Sequence, residues 1–433
     1  MEELIDVRSL ISKIQSDKQE AIELGVLKKE KKLDDIHKNE IPYSLPDGWE
    51  WIRLGDYAFK ITDYVASGSF ASLKENVLIT NEPNYAIMVK TADFSNNFSK
   101  NLTYTDEHGY TFLSNSNLFG GELILSNIGS IGKVFIVPNL GVPMTLASNT
   151  VMVKMSDKKL IKYLYYFFLS PLGQRTLKNI SSGTSMMKFN KTQLKNIIVP
   201  IAPLKQQQNI VQLFDRLSIL IENQKTQLKL LDELVKARFV EMFGDPVSNS
   251  KDLPVQKMNN VAPICQYDGS FEESVWLLNL DMVESQTGRI INYNIVSKDE
   301  IGGSVCTFDE NNVLYSKLRP YLNKVVIPDG KGYATSELVP LRPDPKIINR
   351  IYLAYLLRSN EFVEMIKEKV AGAKMPRVSM SDFREFKVPV PPLELQNQFA
   401  SFVEEIDKSR SRIQKSLEAS QELFDSLMQE YFG

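Results

Sequence analysis

Cysteine and histidine are almost absent: the 433 residues contain two of each. Cys265 and Cys306 have no CxxC partner, and together with His37 and His108 they make no credible zinc set, so both cysteines read as small core or strand residues. No run approaches the ~20 apolar residues needed to cross a bilayer. The start, Met1-Glu2-Glu3-Leu4-Ile5-Asp6, is acidic and quickly polar and lacks the regions of a signal peptide, so the expected location is the cytoplasm. Charge of one sign is missing as well. Lys and Arg number 51 against 53 Asp and Glu, a net −2. That balance argues against a uniformly basic nucleic-acid binder but leaves room for a locally basic groove, because phosphate binding depends on where the cations cluster.

What is present is an internal repeat. A shift of 189 residues lays Tyr163–Gly244 on Tyr352–Gly433 without a gap, and 18 of the 82 positions are identical. Chance would give roughly a third of that at average composition. Val199-Pro200-Ile201-Ala202-Pro203-Leu204 falls on Val388-Pro389-Val390-Pro391-Pro392-Leu393, Gln207 falls on Gln396, and both copies close with Phe-Gly. Each copy reads as a strand, a proline stop and a long helix, since proline lacks the N–H a ladder needs and suits a first helical turn.

No Pro or Gly follows until Gly244 or Gly433. Apolar residues recur in steps of three and four: Ile210, Phe214, Leu217, Ile221, Leu228, Leu231 and Val235 in one helix, Phe399, Val403, Ile406, Ile413, Leu417 and Phe424 in the other. Gln224, Arg410 and Ser420 interrupt these seams. A single seam of this kind also suits an ordinary bundle helix. Two equivalent helices of ~35 residues, each roughly 50 Å long, most simply bury their seams on one another as an antiparallel, coiled-coil-like pair.

The segments between, 43–198 and 245–387, are rich in Gly, Asn, Ser and aromatics and carry β-branched runs such as Val134–Val137 and Lys324–Ile327, with a short helix near Lys162–Leu169 or Ile351–Leu357. The expected fold is therefore α+β: two mixed α/β domains separated by two long helices in a pseudo-two-fold repeat. Its segments are 1–42 (helical, through Leu10, Ile14, Ala21 and Leu24), 43–203, 204–244, 245–392 and 393–433, with the Lys/Glu run at 28–34 as a solvated face or linker.

Four phrases in order resemble one family. Leu45-Pro46-Asp47-Gly48-Trp49-Glu50-Trp51-Ile52-Arg53-Leu54-Gly55-Asp56 resembles the opening of the first target-recognition domain of type I restriction-modification specificity subunits. Glu241-Met242-Phe243-Gly244-Asp245-Pro246 resembles the close of their central helix, and Pro203–Gln207 and Pro392–Gln396 are similar to the starts of their two long helices. The resemblance implies a subunit without catalysis of its own, in which each globular domain contacts one half of an interrupted target in double-stranded DNA and the helices set the spacing. It further implies two methyltransferase subunits docked on the helices and restriction/translocase subunits joining them. S-adenosylmethionine, ATP and Mg would belong to those partners, with no cofactor in this chain.

Two loop motifs recur in both domains and carry the candidate DNA contacts. The first includes Ser126, Asn127, Ser130 and Lys133, paired with Lys317, Arg319, Tyr321, Asn323 and Lys324. The second includes Thr184, Ser185 and Lys188, paired with Lys374 and Arg377. Hydroxyl, amide and cationic groups suit phosphate oxygens and base edges, and Arg319 and Lys317 have the reach for guanine N7 and O6. Polar hairpin turns use the same residue types, so the plain-turn reading stays open. Gly68-Ser69-Phe70 against Gly269-Ser270-Phe271 is a weaker echo.

Two other classes compete. A single-chain methyltransferase needs a [DNS]-P-P-[YFW] motif for the flipped base. Asn81-Glu82-Pro83-Asn84-Tyr85 lacks the paired prolines, Val390-Pro391-Pro392-Leu393 lacks the polar and aromatic members, and neither a P-loop nor an acidic nuclease cluster stands out. A structural coiled-coil scaffold that binds protein is compatible with the heptads, and a salt titration of duplex DNA binding discriminates it.

Overall fold

The computed structural model describes residues 5–184, 186–369 and 375–433. The chain forms two compact units, Met1–Glu222 with Glu418–Gly433, and Asn223–Leu417. Each unit thus takes part of both long helices, Leu204–Phe243 and Leu393–Phe432. The helices, set apart in the sequence as segments of their own, are shared out between the units because their side chains complete both cores.

The helix starts repeat in atomic detail. Ile198–Ile201 pairs antiparallel with Glu50–Arg53, and Lys387–Pro389 with Val255–Lys257. Buried Gln207 donates to Ala202 O at 2.7 Å and accepts from the Tyr57 hydroxyl at 2.7 Å. Gln396, fully buried, donates to Pro391 O at 2.7 Å and accepts from Asn349 N at 2.8 Å. Each glutamine thereby satisfies a backbone carbonyl at the proline stop that no ladder partner serves. Tyr163 and Tyr352 donate to Pro200 O and Pro389 O at 2.8 and 3.0 Å. At the helix ends Gly244 and Gly433 adopt left-handed φ of 71° and 87°, the usual C-terminal stop.

In the first unit Phe214 packs on Phe424 and Phe432, with centroids 5.2 and 6.2 Å apart. In the second, Phe239 and Phe243 each lie 5.5 Å from Phe399, Arg410 pairs with Asp232 at 2.6 Å, and Gln224 donates to Ser416 at 2.8 Å. The pairs of the second unit run in opposite directions, the antiparallel arrangement expected. The seam is more polar than the periodicity suggests. Gln224 and Ser420, which read as interruptions, are buried, whereas Leu228, Leu231, Ile406, Ile413, Leu417 and Phe424 are only half-buried.

Besides the strand pairs at the helix starts, both units build two small sheets in the same topology. In the first, Lys60–Asp63, Thr150–Lys154, Leu123–Ser126 and Val134–Ile136 lie side by side antiparallel. The other sheet has a parallel pair, Ala86–Val89 with Met144–Leu146, flanked by Tyr104–Thr105 and Asn117–Leu118. The second unit repeats the parallel pair as Ser274–Leu278 with Gly332–Thr335. It repeats the antiparallel sheet as Leu338–Leu341, Val313–Ser316 and Val325–Val326, an isolated bridge from Ile264 to Leu341 standing where the first unit has a full strand. The expected short helices are Ile161–Leu169 and Arg350–Arg358.

Asp6 caps the N-terminal helix Val7–Glu23, whose Val7, Leu10 and Ile14 enter the first core. Leu24 lies beyond the helix, exposed. The 28–34 run is largely solvated, and the coil around it is tied down by Arg53, which donates to Asp34 O, Asp35 O and the Glu40 carboxylate.

Candidate nucleic-acid interface

Strand register brings the two loop motifs of each unit together. In the first unit, the ends of the strands at Asp63, Ser126, Val134 and Thr150 share one edge of the antiparallel sheet. Ser126 N donates to Lys133 O at 3.0 Å and closes the 127–132 turn, while Gly129 N donates to Met187 O at 2.9 Å and Phe189 N to Asn127 O at 3.1 Å. An isolated bridge joins Ile128 to Lys188. The second unit repeats each link. Ser316 N donates to Lys324 O at 3.0 Å, Arg319 N to Pro376 O at 2.8 Å and Val378 N to Lys317 O at 2.9 Å, and Leu318 bridges to Arg377. Its turn, 317–323, is one residue longer.

The motifs divide into frame and face. Ser126 is buried and its hydroxyl donates to Ile128 O at 3.3 Å. Asn127 is buried with its amide toward Phe189 O, and buried Asn323 donates to Arg358 O at 2.9 Å. Lys324 donates to Leu280 O at 2.6 Å, and burial pushes its ammonium below the ordinary lysine value against the pull of Asp281. Ser126 and Lys324 thus spend their donors on backbone carbonyls, whereas the side-chain oxygens of Asn127 and Asn323 are buried without a hydrogen-bond partner. Ser130, Lys133, Thr184 and Lys188 are exposed on the first unit, and Arg319, Tyr321 and Arg377 on the second, with Lys317 half-buried. Ser185 and Lys374 lie outside the described residues.

Arg319 holds the left-handed conformation, φ 47° and ψ 62°, where the first unit has Gly129 at φ 77°. A non-glycine residue there carries a cost of roughly 1–2 kcal/mol, sustained by the surrounding bonds. Arg377 bonds Glu337 through Nε and Nη2, and those bonds hold its guanidinium above the ordinary arginine value. Glu337 and its counterpart Asn149 escaped sequence reasoning. Their backbone carbonyls accept from Lys317 N and Asn127 N at 3.0 and 3.2 Å, a neighbourhood made only by sheet register. Lys191, also missed, reaches Asp63 at 3.0 Å on the first edge. The weaker echo separates: Phe70 is 76 % exposed, whereas Phe271 packs on Tyr267 and Tyr333.

Among the described residues no helix is long and apolar enough to cross a membrane. The arrangement offers two edges carrying cations, hydroxyls and amides on turns held by backbone bonds, a chemistry suited to groove and phosphate recognition.

The family model for the type I restriction modification DNA specificity domain matches residues 46–232 and 281–421. The chain is similar to the MjaVIII specificity subunit of Methanocaldococcus jannaschii, 22% identical over 90% of this chain and 93% of that protein. It is also similar to the MjaIX specificity subunit of the same organism, 21% identical over 71% of this chain and 76% of that one. Two solved structures share the fold at 16% identity. One, from work on complex assembly and conformational transition of the type I restriction-modification system, has a TM-score of 0.55 over 90% of this chain and 99% of its own. The other, the S subunit from M. genitalium, has a TM-score of 0.51 over 90% and 98%. Repeat, paired helices, duplicated loop edges and family match agree: the chain belongs to the type I restriction-modification DNA specificity family.

Proposed function

We propose that the chain is the DNA-reading subunit of a type I complex, each loop edge reading one half of an interrupted target in double-stranded DNA. The observation that carries this reading is the recurrence of one loop pair, with the same backbone links, at the same sheet edge of both units. The long helices fix the spacing of the readers and dock two methyltransferase subunits. Leu230, Leu234 and Val240 support docking, since they stand roughly half exposed on the first long helix outside its seam. Restriction/translocase subunits join that core, catalysis with S-adenosylmethionine, ATP and Mg rests with the partners, and the complex works in the cytoplasm. Titration of duplex DNA at several salt concentrations tests the reading: log affinity must fall steeply with log salt. Salt-independent or absent binding by the assembled complex would instead favour a protein-binding scaffold.

A further inference from the structure

At the reading edge of the second unit one exposed arginine is not free. Arg377 Nη2 donates to Glu337 Oε1 at 2.9 Å, and Nε lies 3.2 and 3.3 Å from the two carboxylate oxygens. Both side chains flank the same piece of loop. Glu337 O accepts from Lys317 N, Pro376 O accepts from Arg319 N, and Leu318 bridges to Arg377, so both backbones are fixed against residues 317–319. A carboxylate here is costly for a surface meant only to hold phosphate, because it cancels one of the three cations Lys317, Arg319 and Arg377. The first unit, which keeps the same links, has Lys188 in place of Arg377 and the uncharged Asn149 in place of Glu337.

The geometry of the fork gives the carboxylate a use. A guanidinium carries five N–H donors in one plane. The bonds to Glu337 use its Nε/Nη2 side and leave the Nη1/Nη2 end edge for a second planar acceptor pair. Guanine presents such a pair, O6 and N7, in the major groove, and arginine bidentate to them is the commonest specific contact. A carboxylate behind the fork both sets its plane and weakens it for a lone phosphate oxygen, which takes positive charge from any direction. We propose that Arg377 reads a guanine in the half-site of the second unit, and that Glu337 is a positioning residue that restricts this arginine to a base edge. The proposal rests on the DNA-reading function above.

The test uses the full chain assembled with its methyltransferase partner, competing duplexes changed one base pair at a time across both half-sites, and a salt series. Arg377→Lys keeps the charge but not the fork. It should lower discrimination at one G·C pair of one half-site by about tenfold or more, leaving non-specific affinity and the salt slope as they were. Glu337→Gln frees the arginine for phosphate. It should raise non-specific affinity, steepen the salt slope by about one, and lower discrimination at that same base pair. The other half-site reports folding in both variants, and its discrimination should stay at the wild-type value. Wild-type discrimination retained at every position by Arg377→Lys overturns the assignment of Arg377. A Glu337→Gln protein that loses affinity for all sequences alike overturns the role of Glu337. A wild-type complex without salt-dependent DNA binding removes the underlying function, a failure distinct from either.

Discussion

The first and second units share a frame and differ in what they place on it. Tyr163 and Tyr352, Gln207 and Gln396, and Phe432 and Phe243 make equivalent contacts on Pro200 or Pro389, Ala202 or Pro391, and the tyrosine of each core. The loop edges keep their backbone links but exchange chemistry: glycine for arginine at 129 and 319, lysine for arginine at 188 and 377, amide for carboxylate at 149 and 337. Where the long helices meet the globular parts the units also part. In the first, Tyr166, Phe214 and Phe424 fill the joint with stacked and edge-on rings. In the second, a cavity of about 420 Å³ is lined by Asp232, Arg289, Arg358, Asp407 and Arg410 among others. There Arg410 pairs with both Asp232 and Asp407, and burial raises the Asp407 carboxyl above its ordinary range despite the opposing charges of Arg410 and Arg358. Ser218 and Ile221 occupy the positions 189 residues before Asp407 and Arg410. Apolar contacts and buried glutamines hold the frame, so loop chemistry is free to change without loss of fold.

The largest effects should break the frame in one unit at a time. Phe432→Ala should cost about 3–5 kcal/mol in the first unit and Phe243→Ala a similar amount in the second, seen by hydrogen exchange as loosening confined to the unit concerned. Exchange rising equally in both units for either variant would contradict the division. On the edges, Arg319→Ala should lose about 1–3 kcal/mol at one base position, whereas Lys133→Ala should weaken every sequence alike and reduce the salt slope by about one. Equal binding by wild type and both variants would remove these turns from the interface. Gln207→Leu and Gln396→Leu should each cost about 1–3 kcal/mol, since each leaves a buried backbone carbonyl without its donor. Unchanged denaturation midpoints would show that carbonyl to be satisfied otherwise. The smallest effect sharpens the 129/319 comparison: Arg319→Gly should gain up to ~1 kcal/mol of stability, and Gly129→Ala should lose about as much. Calorimetry showing both changes with the same sign would contradict the equivalence of the two turns.

Much of the frame was legible because it is written locally. Proline stops, a glutamine four residues after Pro203 or Pro392, and terminal Phe-Gly recur at one spacing, and each has a backbone meaning wherever it stands. The turns were legible as clusters of Gly, Ser, Asn and Lys between apolar runs, but which side chains point outward was not. Lys133 and Lys324 close equivalent turns, yet one is exposed and the other bonded to Leu280 O. Contacts made by tertiary pairing left no local signal. Arg410 and Gln224 read as flaws in a seam because their partners, Asp232 and Ser416, lie on the other helix. Glu337 was invisible because only sheet register sets it beside Lys317 and Arg377.

Exchange of reading segments tests the central claim, two independent readers on one frame, most directly. Residues 43–198 would be replaced by the corresponding segment of a relative with a different target, and methylated adenines mapped across the genome of cells that express the chimera with its partner. One half-site should change to the donor's while the other half-site stays as it was. Alteration of both half-sites, or of neither, would contradict the claim.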